Sequence, residues 1–393
     1  MSRQKVVDSM ITGTVSSSKL EGALPAISGA NITGVGDGVL KAGNDPALDT
    51  NPAAGVGAVW LNTSSGEMFV CTDATADANV WTNIGEGTGD VEPWAFGGTT
   101  YGYTIGGYTN NAWTEIQRFS LVSDGGATTI GNVAHNIRDG ASIVGQTHGY
   151  CAGSETGSKT DILKFAYAND TTSSAAGNLS SGYTGYADVG SSSSTHGYVA
   201  GGWGGSLLQT IDKYSFASEG TATAAINMTE AKNGQSGHSD LNGQKGFLAG
   251  GLTNNGPQVY TNKIEQFSYA NDNAATNPAD LSYQVGWMTS SSSTTHGYTC
   301  GGCRNPSETY VYDIHKFAFS STSSSSDLGD LDIGGLSGKN GSSASSTTHG
   351  YYTGGAGGAP GNLMHKYSYE GSANSTDVGD LATYTVWSVG NQV

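Results

Sequence analysis

Four histidines recur in one local setting: Thr147-His148-Gly149-Tyr150, Thr195-His196-Gly197-Tyr198, Thr295-His296-Gly297-Tyr298 and Thr348-His349-Gly350-Tyr351. Imidazole binds metals and titrates near neutrality, so His148, His196, His296 and His349 come first among residues able to do chemistry. Their setting argues for a turn instead. A further copy carries Lys245 at the histidine position. Equivalent sites in successive units of this length lie too far apart for one ion to join them.

The remaining reactive residue types are weaker still. Cys300-Gly301-Gly302-Cys303 has the spacing of half a zinc site, but no second ligand pair stands near it. Cys300 reads as a small core residue, like Ala200 and Ala249, and Cys303 as part of a loop. With Cys71 and Cys151 the cysteines number 4, too few for a disulfide framework in so long a chain. Serine-rich runs at 191–194, 290–293 and 342–346 each precede a Thr-His-Gly turn. Small hydroxyl residues suit strands converging on a narrow wet channel, so channel lining is preferred over a serine nucleophile.

A sialidase would need several arginines converging on a carboxylate. The chain has only Arg3, Arg118, Arg138 and Arg304, and Arg118 occupies the repeat position of Lys164, Lys213, Lys316 and Lys366. No phosphate-binding loop, catalytic triad or paired-carboxylate motif stands out. The expectation is a protein that binds or builds, with no enzymatic activity, cofactor or metal.

The elements that hold these residues follow from an internal repeat. The aromatics at 103, 150, 198, 247, 298 and 351 are separated by 47, 48, 49, 51 and 53 residues. A second motif, Ile-x-Lys-Phe-Ser-Phe in its fullest form, runs in phase at 116–121, 162–167, 211–216, 264–269, 314–319 and 364–369. Its near-alternate apolar residues predict a half-buried strand. In the fourth unit, 236–241 predicts a first strand, Asn242-Gly243 a hairpin turn, and 246–251 a second strand ending in the pair Gly250-Gly251. The third strand is 264–269, and a fourth lies near Leu281. Gly201-Gly202 repeats the glycine pair one unit earlier.

An apolar strand ending in Gly-Gly, followed by an aromatic about a dozen residues on, resembles the Kelch repeat. The resemblance is clearest over 237–251, although most units lack the tryptophan usual late in that repeat. It implies an all-β fold: a six-bladed Kelch-like β-propeller over 94–393. An open β-solenoid, the alternative, is usually built from shorter coils. The expected seam joins 389–393 to the unit beginning at Trp94.

Composition agrees with an all-β chain. Charged residues make up 12% and Gly numbers 61 among 393 residues, a mixture suited to many tight turns. The net charge of −17 argues against nucleic acid and against anionic membrane surfaces. No apolar run approaches membrane-spanning length, and the opening residues lack the apolar core of a signal peptide. Membrane insertion is not expected, and synthesis is expected in the cytoplasm.

Residues 1–93 lack the repeat. Small apolar residues in 24–35 offer no face that one chain can bury. A hairpin is predicted from 58–62 and 67–71, with a further strand at 80–84. The expected division is a segment 1–50 for attachment and oligomerisation, a β-hairpin module 51–85 and a Gly-rich linker 86–93. The stretches Leu-Pro-Ala-Ile-Ser-Gly-Ala-Asn-Ile-Thr-Gly-Val and Gly-Ala-Val-Trp-Leu-Asn-Thr-Ser-Ser-Gly-Glu-Met-Phe-Val-Cys-Thr-Asp resemble tailed-bacteriophage fibre and other virion appendage proteins. The resemblance implies a virion location, a homotrimer, contacts of residues 1–93 with other virion structural proteins, and a distal domain facing a host cell-surface glycan or protein. A fibre that decorates capsid or tail without a receptor role is the alternative; a glycan-degrading propeller enzyme is a third. Recognition is expected on the long loops 251–262 and 302–313, at Asn254, Asn255, Tyr260, Arg304, Asn305 and Tyr310.

Overall fold

The computed structural model describes residues 39–84, 96–108, 113–157, 159–168, 172–180, 189–242, 244–304, 309–334, 338–356, 361–371 and 374–392. These residues are all-β, and no helix occurs among them. The chain divides into two compact units, Met1–Pro93 and Trp94–Val393. The linker expected at 86–93 lies outside the described residues.

In the first unit, strands Val59–Asn62, Met68–Asp73 and Val80–Asn83 pair antiparallel in sequence order. Strand Leu40–Ala42 joins them by parallel pairing with Trp60–Asn62. The module therefore starts inside the segment expected at 1–50, not at residue 51. A parallel partner reaches its place through a crossover, which leaves no local alternation to read. Phe69, Cys71 and Trp81 are fully buried and form the core with Ala58.

The second unit contains six sheets of one plan. In each, four strands pair antiparallel, and the third carries the second sequence motif. The second sheet, for example, runs Ala141–Val144, His148–Ser154, Lys159–Ala166, Ser174–Asn178. The fourth runs Ser236–Asp240, Lys245–Ala249, Lys263–Ser268, Thr276–Asp280. The first sheet takes its innermost strand, Val389–Gln392, from the far end of the chain and pairs it with Tyr101–Ile105.

The two motifs interlock within each sheet. The motif glycine lies opposite an aromatic of the neighbouring strand: Gly102 and Phe119, Gly149 and Phe165, Gly246 and Phe267, Gly297 and Phe317. A Cβ at Gly246 would overlap the Phe267 ring. The glycine is therefore the seat on which the aromatic lies.

Between sheets, a separate apolar cluster fills each junction in turn. The cluster joining the sixth sheet to the first contains Tyr351, Met364 and Phe119. Innermost strands touch in the order Ala141–Val144, Val189–Ser192, Ser236–Asp240, Thr289–Ser292, Lys339–Ser345, Val389–Gln392, and the last touches the first.

Serines bridge most of these contacts. The amides of Val144, Ser192, Ser239 and Ser292 donate to the hydroxyls of Ser192, Ser239, Ser292 and Ser345 at 2.9, 2.9, 3.2 and 3.0 Å. Ser345 N donates to Gln392 Oε1 at 3.4 Å. At the seam, Asn391 Nδ2 donates to Ser142 Oγ at 3.0 Å and to Tyr150 O at 3.2 Å. These innermost strands line an axial cavity of about 110 Å³. The serine runs thus border this cavity and also supply acceptors that a buried strand amide requires.

Candidate functional site

One end of the axial cavity is bordered by residues at or just before the starts of the innermost strands. Asp139, Gly234, Trp287, Asn340 and Trp387 all have left-handed φ, between 50° and 64°. Their amides and carbonyls form one chain of hydrogen bonds. Asp139 N donates to Trp387 O (3.1 Å), Trp387 N to Asn340 O (2.9 Å), Asn340 N to Trp287 O (3.2 Å) and Trp287 N to Gly234 O (2.5 Å). Tryptophan rarely adopts this conformation, and its strain persists only where surrounding structure imposes it. Here the lateral bonds impose it, and they turn the side chains to the rim.

The rim encloses a cavity of about 80 Å³ that shares Gln235, Met288 and Ser388 with the axial cavity. Arg138 lies over Trp387 at 4.3 Å and over Tyr108 at 4.7 Å, and pairs with Glu155 at 2.8 Å. Lys339 lies 5.5 Å from the Trp287 ring. The indole N–H of Trp287 is buried and meets no hydrogen-bond partner among the described residues. The mouth thus combines two indoles, an amide, a carboxylate and two cations. Such a set can hold the C–H faces and hydroxyls of an uncharged ligand, or a planar polar group.

The long loops converge on this same rim. Strands Leu252–Asn255 and Gln258–Tyr260 form a hairpin, and Cys303–Arg304 pairs with Thr309–Tyr310 in another. Leu252, Tyr260 and Cys303 are buried together, with Trp287 packed against them. Gly286 exchanges backbone hydrogen bonds with Cys303 at 3.0 and 2.9 Å.

Asn254, Asn255 and Arg304 are exposed, and Tyr310 is 47% exposed. Arg304 stacks over Tyr283 at 4.8 Å. Asn305 lies outside the described residues. Tyr260 corrects the expected recognition set: it is 1% exposed, and its hydroxyl meets Gln258 Oε1 at 2.9 Å and Cys303 Sγ at 3.2 Å. Packing against the neighbouring hairpin buries it. Cys303 is likewise buried in a strand rather than lying in a loop, and Cys300 is buried as well.

Gly201 and Gly202, with φ of 68° and 104°, and Gly250 and Gly251, with 63° and 110°, lead the chain from the second strand to the rim. The motif histidines stand at the opposite end of that strand. His148, His196, His296 and His349 each share a hydrogen bond between Nδ1 and the preceding threonine hydroxyl, at 2.8 to 2.9 Å. Burial, and then the nearby Lys164, Lys213, Lys316 or Lys366, holds each imidazole below its ordinary pKa. Among the described residues, no group of three His, Cys, Asp or Glu side chains is placed to hold a metal ion.

Trp287 and Trp387 belong to neither repeated motif. The signal that locates them is phase, since each stands two residues before an innermost strand, as Asp139 does.

The chain matches no protein-family model and no curated protein. Among solved structures it is similar to that of YjhT, with a TM-score of 0.53 and 12% identity, over 71% of this chain and 97% of that one. At that identity the likeness concerns the fold.

Proposed function

We propose that residues 94–393 form a closed six-bladed Kelch-like propeller, and that the chain is a non-enzymatic bacteriophage virion appendage displaying it outward. Support for closure comes from the cyclic order of innermost strands and from an apolar cluster at every junction, including that between the last sheet and the first. In this reading residues 1–93 join other virion proteins, a homotrimer is the assembly, and the rim of the channel contacts a host surface glycan or protein.

The observation that carries the receptor role is the packing of Trp287 against both long hairpins. It gathers exposed Asn254, Asn255, Arg304 and Tyr310 around one aromatic-lined mouth on a cross-bridged scaffold. Recognition residues on a rigid frame lose little freedom on binding.

The test is saturable binding of the labelled full chain to a panel of bacterial strains, with competition by their soluble surface polysaccharides. Binding that competes away is the expected result. A folded chain that binds none of the strains overturns the receptor role and leaves a decorating fibre.

A further inference from the structure

A groove of about 330 Å³ lies between the second and third sheets, at the opposite end of the second strands from the channel mouth. Its walls are the turn 145–147 with His148 and the turn 194–195. Its floor is Phe216, stacked on Tyr150 with centroids 5.1 Å apart, and Glu219 borders it.

The groove opens where the repeat departs from its own pattern. In three other turns a serine precedes the Thr-His pair by two residues, and Ser193, Ser293 and Ser346 accept the histidine amide at 3.0, 3.1 and 2.8 Å. Here the position is Gly145, followed by the exposed Gln146. Among the described residues no side chain fills the space above Phe216, and the Gln146 amide stands at its edge.

Glu219 gives a second, independent sign. Its φ is 53°, a conformation that costs a non-glycine residue strain, whereas Asp124 and Asp272, its counterparts at other junctions, have no left-handed φ. The turn holding it is fixed to the neighbouring sheet, because Gly220–Thr221 pairs in parallel with Gly177–Asn178. The Glu219 carboxylate pairs with Lys164, which leaves the groove close to neutral. A neutral, preorganised groove with an aromatic floor, an amide, a carboxylate and three hydroxyls (Thr147, Ser194, Thr195) matches the surface of a pyranose. Such a ring offers one C–H face and a rim of hydroxyls.

We propose that this groove binds one uncharged hexopyranose unit, its C–H face on Phe216 and its hydroxyls on Gln146 and Glu219. The site is separate from the channel mouth and stands whether or not the mouth contacts a receptor.

The test is saturation-transfer NMR on the full chain with the methyl glycosides of glucose, galactose, mannose and N-acetylglucosamine. The expected result is saturation of the ring C–H protons of at least one glycoside, with a Kd of order 1 mM. Gln146→Trp, which fills the groove from an exposed turn, abolishes it, and Glu219→Gln weakens it about tenfold. Absence of binding by all four glycosides overturns the proposal. So does undiminished binding by Gln146→Trp at an unchanged melting temperature. Strain binding that persists in Gln146→Trp while glycoside binding is lost separates this site from the receptor role.

Discussion

Tyr298 lies nearly flat on Tyr369 of the following sheet, with ring centroids 4.4 Å apart and planes 20° from parallel. The same stack joins Tyr103 to Tyr167, Tyr150 to Phe216, Tyr198 to Tyr269 and Phe247 to Phe319. At the junction of the sixth sheet with the first, Tyr351 instead meets Leu121, whose carbonyl accepts the tyrosine hydroxyl at 3.3 Å. The first motif's aromatic thus packs on the last aromatic of the second motif one unit on, which explains why the motifs keep phase.

Removing one stack should be costly and adding the missing one beneficial. Tyr298→Ala is expected to lower stability by about 3–5 kcal/mol, the range for deleting a buried aromatic. Leu121→Phe is expected to raise it by about 0.5–1.5 kcal/mol. Urea-unfolding midpoints of both variants check the pair. A neutral Leu121→Phe would mean that the closing junction tolerates no ring there.

The innermost strands approach so closely that some positions exclude a side chain. A Cβ at Gly190 would overlap Ser142 O, and one at Gly390 would overlap Ser343 O. Gly190→Ala is therefore expected to displace backbone and destabilise by about 3 kcal/mol, the upper end of overpacking effects. A thermal melt within a degree of the parent would show that the strands can part without penalty.

His238 predicts an acid-labile fold. It is wholly buried, hydrogen-bonded by Nδ1 to Ser291 O at 3.0 Å and by Nε2 to Ser236 Oγ at 3.1 Å, and burial pushes its pKa down to about 4. The unfolded chain takes up this proton near 6.5, so between those values the unfolded state binds more protons. The stabilisation is complete above pH 6.5 and is lost as pH falls toward 4, by about 3 kcal/mol. His238→Asn, which copies Asn391 at the equivalent strand position, should flatten that part of the stability–pH curve. An unchanged slope from pH 6.5 to 4 would assign the lability to other groups.

The rim makes a prediction about binding without folding. Tyr310→Ala combined with Asn254→Ala and Asn255→Ala removes only exposed side chains, so the melting point should hold. Affinity for a bound strain should drop about tenfold or more, as for loss of interface anchors. Flow cytometry with labelled chain measures it, and equal affinity would place recognition away from these hairpins.

The repeat made much of this fold legible, because alternation along 162–167 or 264–269 reports directly which residues a sheet buries. Relations between sheets were less visible. Nothing local marks Tyr260 as buried, since a neighbouring hairpin covers it. Lys232 and Glu265 form an ion pair at 3.2 Å with neither side chain exposed, although both residue types usually face water. Thr229 supplies Glu265 with two further hydrogen bonds, at 2.9 and 2.7 Å. Gly145 gives no warning either, because one missing serine looks like drift until its neighbour across the junction is known.

The strand Val389–Gln392 completes a sheet begun at Tyr101–Ile105, and that has a consequence in time. At cellular rates of about 5–20 residues per second, tens of seconds separate the synthesis of the two strands. Throughout that interval Tyr101–Ile105 presents an unpaired edge, and Gly107 waits for the backbone of Val386. On a polysome, where neighbouring nascent chains are close, the terminal strand of one copy can reach the open edge of another. Covalent closure of the seam by a short Gly-Ser bridge, with new ends cut elsewhere in the second unit, would remove that hazard by placing Val389–Gln392 directly before Tyr101–Ile105 in the chain.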